Sequence, residues 1–364
     1  MLPIKIVREL RKIGVEVVLA HLSARPPGSF SIRKTEFEGI PSYTLPPARW
    51  LGGLKKIMQR HRLNLVHAQH YGGATRSLAA CLMHDWPMVY EIHSLLGDEV
   101  ERDRLGRGLK FKTTRFLEQV ACNHAAEVIV LGEPVGDVCR NEKAIPAERI
   151  HTIYPGIDMS EYDQVLPPYP IPGVGPEHQV VMYIGSIVHP NQGVPLLIDA
   201  LPAIFQANPR ARCVLVGGPA EAGREYQNRI GPWADRLITI TGTTPSQVVS
   251  LSRQADVLVH PRLACRENYS VQSKIAVYLA AGRPIVATDF GDYRMLLGEK
   301  QAGLLTEVTP ESIAAGVNEL LQNPEKAAFL ASHTRGVAMN YFAMSRNIQR
   351  YMDVYASAIA RGNR

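Results

Sequence analysis

The chain has 364 residues, 46% of them hydrophobic and 20% charged, with a formal net charge of +6; that length suits two domains with separate cores, and the composition is that of a soluble globular protein. Its apolar runs fall far short of the ~20 residues a membrane-spanning helix needs, and charges at helical spacing through the N-terminal stretch exclude a secretory signal. Five cysteines, an odd number without a C-x-x-C pair, argue against a disulfide framework or a zinc site and fit a reducing cytosol.

The charge excess is confined to one half. Residues 1–150 hold 22 basic against 16 acidic side chains, and the remainder holds 18 of each. Basic residues concentrate in Lys5 to Lys12, Lys55 to Arg62 and Arg102 to Arg115. Such a face fits a phosphorylated substrate or an anionic membrane surface. It does not fit nucleic acid, because no stacking aromatics are interleaved with the cations. The acidic run Asp98, Glu99, Glu101, Asp103 reads as a solvated face and not as a metal site.

In chain order, helical and strand periods alternate. A helix near Ile4 to Lys12 is followed by a strand Val15 to His21, a helix Leu51 to His61 and a strand Leu65 to Ala68. Next come a helix after Gly72-Gly73, a strand Met88 to Ile92, a helix Leu109 to Asn123 and strands Glu127 to Leu131 and Ile150 to Tyr154. The texture then changes: Leu166 to Pro176, with five prolines and two glycines, reads as a semi-rigid linker. Strand and helix resume with Val180 to Ile184, Pro195 to Gln206, Arg212 to Val216, Leu237 to Thr241, Ser246 to Arg253 and Asp256 to His260. They continue with Ser273 to Ala281, Pro284 to Thr288 and Gly303 to Leu305, and the chain is helical from Pro310. This alternation predicts an α/β protein of two doubly wound domains with parallel sheets. The first domain is expected to lack its first strand, since a helix precedes Val15 to His21.

Ligands of parallel sheets bind beyond the carboxyl ends of strands, which directs attention to four places. His260 to Asp289 runs from a strand end through an irregular loop into a helix opening at Ser273-Lys274. The unpaired N–H groups of a helix start, together with that Ser and Lys, make a seat for phosphate. Gly185 to Gly193, GSIVHPNQG, offers glycines for close approach and Ser186, Asn191 and Gln192 as neutral hydrogen-bond partners. His93 closes the strand Met88 to Ile92, and His67, Gln69, His70 and Gly72 stand at another strand end.

The order of these pieces resembles the retaining GT-B glycosyltransferases of the family-4 type (glycosyl transferases group 1). The matching segments are VYEIH (Val89 to His93), AAEVIVLGEPV (Ala125 to Val135), IPAERIHTIYPGID (Ile145 to Asp158), MYIGSIVHPNQGVPLLIDAL (Met182 to Leu201), CVLVGG (Cys213 to Gly218), QADVLVHP (Gln254 to Pro261) and SKIAVYLAAGRPIVATD (Ser273 to Asp289). The resemblance implies two Rossmann-like domains facing a cleft: an acceptor domain over residues 1–165, the linker 166–176, a nucleotide-sugar domain over 177–340, and a helix over 341–364 crossing back to the first domain. It further implies a nucleotide diphosphate sugar as co-substrate, with no cofactor.

Family members place Arg after the first glycine of the Gly185 loop and Lys before its second glycine; this chain has Ser186 and Gln192. By resemblance to a subgroup with a neutral loop, Lys274 becomes the main cation on the diphosphate, and no metal is needed. The family's two glutamates eight positions apart are out of register here: Val277 stands at the second, and Glu267 lies two residues upstream of the first, Tyr269. The implied assignment gives His93, Glu267 and Lys274 catalytic roles, and Gly185, Ser186, Gln192, Gly193, Asn268, Tyr269, Ser270 and Ser273 to the donor. His70 and Gly72 go to the acceptor side. The expected protein is a cytoplasmic sugar transferase, with a glycan, lipid-linked or small-molecule acceptor and peripheral contact with an anionic membrane. A catalytically impaired binding protein of the same fold and another GT-B enzyme, such as a nucleotide-sugar epimerase, are the alternatives.

Overall fold

A computed structural model describes residues 2–22, 32–93, 95 and 108–362. The chain divides into two compact units: unit 1 is Met1–Tyr154 with Met344–Arg364, and unit 2 is Pro155–Ala343.

Unit 1 opens with α1 (Leu2–Lys12), whose Ile6 and Leu10 enter the core, as i and i+4 positions on one helix face should. A three-stranded sheet of order β1-β3-β2 follows, built from β1 (Leu19–Leu22), β2 (Arg33–Phe37) and β3 (Ile40–Leu45). β1 runs parallel to β3, and β2 antiparallel to it. The strand expected over Val15 to His21 is therefore shorter and later, and the hairpin β2-β3 was not foreseen. Its turn, Glu38-Gly39, has positive φ at both residues (52° and 75°), the conformation that matches strand twist in a two-residue hairpin.

After α2 (Trp50–Arg60) comes a four-stranded parallel sheet of order β4-β5-β6-β7: Val66–Gln69, Met88–Ile92, Glu127–Val130 and Ile150–Thr152. The helices α3 (His70–His84), α4 (Leu109–His124) and α5 (Glu133–Asn141) connect its strands. Every residue of β5 and β6 is buried, which explains why these strands read as continuous runs and not as alternation. Among the described residues the two sheets of unit 1 share no strand pairing.

Unit 2 holds a six-stranded, fully parallel sheet of order β10-β9-β8-β11-β12-β13. In chain order the elements are β8 (Gln179–Ile184), α6 (Val194–Ala207), β9 (Ala211–Val216), α7 (Ala220–Ile230), β10 (Leu237–Ile240), α8 (Pro245–Ser252) and β11 (Val257–His260). Then come α9 (Ser273–Ala281), β12 (Ile285–Thr288), β13 (Leu304–Thr306), α10 (Pro310–Gln322) and α11 (Pro324–Val337). The last helix, α12 (Met344–Gly362), belongs to unit 1, where Ile348, Tyr351 and Val354 pack in one apolar cluster with Val89, Ile129, Ile6 and Leu10. The strand order reverses between β8 and β11, and that reversal opens a crevice at the carboxyl ends of those two strands.

The proline-rich segment 166–176 lies within unit 2, not at the division between units, which falls after Tyr154. Ser250 on α8 fastens it twice: its hydroxyl donates to the Pro167 carbonyl at 2.7 Å and accepts from the Tyr169 N–H at 2.9 Å. Ile171 is buried. Prolines leave carbonyls without matching N–H groups, and here α8 supplies the missing partners.

Candidate functional site

The unit 2 site is built where theory places it, at the switch point. β8 ends in Gly185 at φ +140°, and from the facing loop α9 sends Lys274 across that glycine. The Lys274 ammonium lies 2.6 Å from the Tyr183 hydroxyl and 4.3 Å from the centre of its ring, and it donates to Gln192 Oε1. The positive φ calls for glycine here, and an added Cβ would stand 2.6 Å from Lys274 Nζ and push the lysine tip aside. Gly193, at φ +68°, sits so tightly on the end of β11 that a Cβ there would meet the Pro261 carbonyl oxygen at 1.5 Å. Tyr278 holds the other side, accepting the Ile184 N–H at 2.7 Å and donating to the Val259 carbonyl at 3.3 Å.

The electrostatics are one-sided. Burial drives the Lys274 ammonium well below the usual lysine range, and the neighbouring Arg262 adds to the shift. Among the described residues Lys274 has no carboxylate partner. Arg262, only 2% exposed, donates from Nη2 to Asn268 Oδ1, while its Nε and Nη1 have no hydrogen bond among the described residues. Burial also pulls the guanidinium down. His260, fully buried, is held neutral by burial, Lys274 and Arg262 in that order. Ser270 Oγ and Gln272 Oε1 are also buried without a hydrogen-bond partner among the described residues. Two neighbouring basic side chains with no carboxylate partner among the described residues are costly to hold charged unless an anion joins them.

The expected donor residues do not all behave alike. Gly185, Gln192 and Lys274 come together beyond the end of β8, and Gly193 follows Gln192 against Pro261. Ser186 is exposed, and its carbonyl accepts from the Tyr183 hydroxyl at 2.9 Å. Ser273 occupies the first helical position and is exposed, with Gln272 as the N-cap. Asn268, expected on the sugar, is instead buried and occupied: its amide donates to the carbonyls of Asn191 (3.1 Å) and Leu263 (2.6 Å), stitching the two loops together. The Tyr269 ring lies 5.8 Å from that of Phe290. The side chain of Glu267 and the segment 101–107 are outside the described residues. Tyr183 and Arg262 were missed from sequence. An arginine directly after a buried strand end, HPR, was the available signal for the second.

Unit 1 gathers a different cluster at the carboxyl ends of β4 and β5. Glu91, on β5 and fully buried, lies 2.7 Å from His93 Nε2 and 3.0 Å from His67 Nε2, and accepts from the Tyr351 hydroxyl at 3.1 Å. His67 Nδ1 in turn meets the Tyr355 hydroxyl at 2.8 Å. Burial works to raise the Glu91 carboxyl, but its bonds and charge contacts with His67 and His93 prevail and hold it down at about 2. The His70 ring lies 4.1 Å from that of His93, and His70 itself has a left-handed backbone (φ 58°) at the start of α3, a strained conformation that tends to mark functional positions. Gly72 serves the helix, its carbonyl accepting from Arg76 at 2.6 Å. No group of three or more His, Cys, Asp or Glu among the described residues is arranged to hold a metal.

Two family models match this chain: Glycosyltransferase Family 4 over residues 4–161 and Glycosyl transferases group 1 over residues 178–323. The chain belongs to the family-4 type glycosyltransferases and has the GT-B fold. It is 26% identical over 193 residues to a D-inositol 3-phosphate glycosyltransferase of Segniliparus rotundus, covering 50% of this chain and 41% of that protein. To a phosphatidyl-myo-inositol mannosyltransferase of Mycobacterium tuberculosis it is 27% identical, over 44% of this chain and 40% of the other. The chain thus spans about two fifths of the length of these curated relatives. An alpha-D-kanosaminyltransferase of Streptomyces kanamyceticus is 23% identical over 84% of this chain and 80% of its own. Among solved structures, the sucrose-phosphate synthase of Thermosynechococcus elongatus superposes with a TM-score of 0.76 at 16% identity, covering 98% of this chain and 92% of that one. Anabaena HepE in complex with UDP gives 0.71 at 20% identity, covering 94% and 100%.

Proposed function

We propose that the chain transfers a sugar, with retention at the anomeric carbon, from a nucleoside diphosphate donor to an acceptor hydroxyl. The observation that carries this reading is the placement of two basic side chains, Lys274 and Arg262, at the switch point of unit 2 with only neutral partners among the described residues. In such a transfer the sugar becomes oxocarbenium-like while negative charge grows on the departing diphosphate, so fixed cations there lower the barrier directly. Lys274 meets that charge, assisted by the N–H groups opening α9, and the proposal assigns the neutralisation to these groups without a metal. His93 is the unit 1 group assigned to the transferred sugar, and Glu267 is proposed for its hydroxyls. The acceptor is proposed to be a phosphate-bearing or lipid-linked polyol, taken up at a membrane surface from the cytoplasmic side. Support comes from the basic excess of residues 1–150 and from relatives named for inositol phosphate and phosphatidylinositol. No helix among the described residues is long and apolar enough to cross a membrane.

The test is release of nucleoside diphosphate from a panel of UDP- and GDP-sugars, with and without inositol phosphate and phosphatidylinositol, with anomeric NMR of the product. Acceptor-dependent release with retention is expected. Tight donor binding without turnover on any acceptor would favour the impaired binding protein, and inversion would overturn the stereochemical assignment. His93→Ala is expected to abolish most turnover with little loss of thermal stability, and His93→Asn to retain part of it through a neutral hydrogen bond.

A further inference from the structure

We propose that Glu91 is the positioning residue for His93, fixing the imidazole as its Nε2–H tautomer and presenting Nδ1 to substrate. The inference rests on the assignment of His93 made above. A carboxylate one residue short of the end of a fully buried parallel strand is not favoured by stability alone, since an isolated buried charge costs several kcal/mol. Glu91 is fully buried; His93, beyond the end of β5, and Tyr351 on α12 hydrogen-bond to it, and His67 Nε2 on β4 stands 3.0 Å away as an ion-pair contact. Positions 91 and 93 are two apart, which places both side chains on one side of an extended chain. The carboxylate is held ionised by these neighbours, so it only accepts, and the ring nitrogen facing it at 2.7 Å must donate. The other ring nitrogen, Nδ1, has no hydrogen bond among the described residues. A buried carboxylate that sets a histidine's tautomer and orientation is the logic of the Ser-His-Asp systems; here the carboxylate is itself oriented by Tyr351, and His67 is braced by the Tyr355 hydroxyl at 2.8 Å.

The arrangement also gives α12 a task. Its tyrosines reach the strand ends, so the C-terminal helix tunes the side chain assigned to chemistry while remaining distant from it in sequence.

The test uses the full chain labelled with nitrogen-15 at histidine. In the parent, His93 is expected to show a pyrrole-type Nε2 and a pyridine-type Nδ1. In Glu91→Gln the two tautomers become mixed, and kcat falls roughly 10-fold or more, within the ~10²- to 10⁴-fold contribution of a placed acid–base group, while the KM for donor changes little. If Glu91→Gln does not fold, Tyr351→Phe keeps the carboxylate and removes one of its anchors; it is expected to broaden the tautomer signature and lower kcat by a smaller factor. A folded Glu91→Gln, or Tyr351→Phe, with the parent's tautomer and the parent's kcat overturns the proposal. His93→Ala separates the two readings: full turnover in that variant refutes the catalytic assignment of His93, whereas the nitrogen-15 result on the parent bears on Glu91 alone.

Discussion

Replacing Lys274 by methionine should make the protein more stable and the donor site nearly useless. The lysine is held by two neutral acceptors, Tyr183 and Gln192, with no carboxylate among the described residues and a like charge, Arg262, beside it. Charge-assisted bonds contribute about 1.5 to 3 kcal/mol each, while desolvating an ion costs several kcal/mol. Methionine fills similar volume without charge. The Tyr183 hydroxyl keeps its bond to the Ser186 carbonyl at 2.9 Å, and the one acceptor that loses its donor is the neutral Gln192 Oε1. The balance favours the variant by about 1 to 3 kcal/mol in the absence of ligand, or roughly 2 to 4 °C in melting temperature for each kcal/mol in a domain of this size. Loss of the preorganised cation should weaken nucleoside diphosphate binding by about 2 to 4 kcal/mol, roughly 30- to 1000-fold.

The advantage should also depend on pH. The folded-state lysine titrates below its ordinary 10.5, so between the lowered value and 10.5 the unfolded chain binds more protons and the parent gains stability as pH rises. The variant lacks this gain, and its lead should fade toward pH 10.5. Scanning calorimetry and titration with UDP, GDP and inorganic pyrophosphate read both quantities. A less stable variant that binds all three ligands as the parent does would refute the reasoning.

Gly193→Ala combines left-handed strain with a clash on the Pro261 carbonyl and should destabilise unit 2 by roughly 2 to 4 kcal/mol; a urea midpoint unchanged from the parent would contradict the loop geometry. Glu91 has its carboxyl depressed from 4.5 to about 2, so its contribution to stability is complete above pH 4.5 and is lost as pH falls toward 2. Acid titration of Glu91→Gln should therefore be flatter over that window, and an identical slope would show that the carboxylate is not stabilised by its histidines. Binding to vesicles of anionic lipid should weaken as salt rises, since exposed charges are screened beyond ~8 Å at physiological ionic strength. Neutralising Arg104, Arg107, Lys110 and Lys112 together should abolish it without touching donor affinity; indifference to such vesicles at low salt would leave the basic face a solvated surface.

The buried strands and the helices between them were legible because their signals are local. Met88–Ile92 and Ser273–Ala281 fall where the apolar runs and the Gly282 stop place them. β2, RKTEF, is exposed along its whole length, so it carries no hydrophobic period, and only the Glu-Gly turn announces the hairpin. α7, AEAGREYQNRI, buries just Ala222, Gly223 and Ile230 and was equally silent. In the site, the glycines and Lys274 could be found because backbone approach and a helix start leave marks in sequence. The pairing of Glu91 with Tyr351, 260 positions apart, leaves none, and Arg262 looks like any surface arginine until burial is known. The bonds of Asn268 to Asn191 and Leu263 were illegible for the same reason: they depend on how two loops meet.

The lysine that crosses Gly185 constrains the loop opposite it. The family resemblance implies Arg where this chain has Ser186 and Lys where it has Gln192. Gln192 Oε1 already touches the Lys274 ammonium, so a lysine at 192 would set two ammonium groups head to head beside Arg262, with like charges in a desolvated pocket. Restoring the loop cations here should therefore impair the protein unless Lys274 is surrendered in the same step. In this pocket the two ways of presenting positive charge exclude one another.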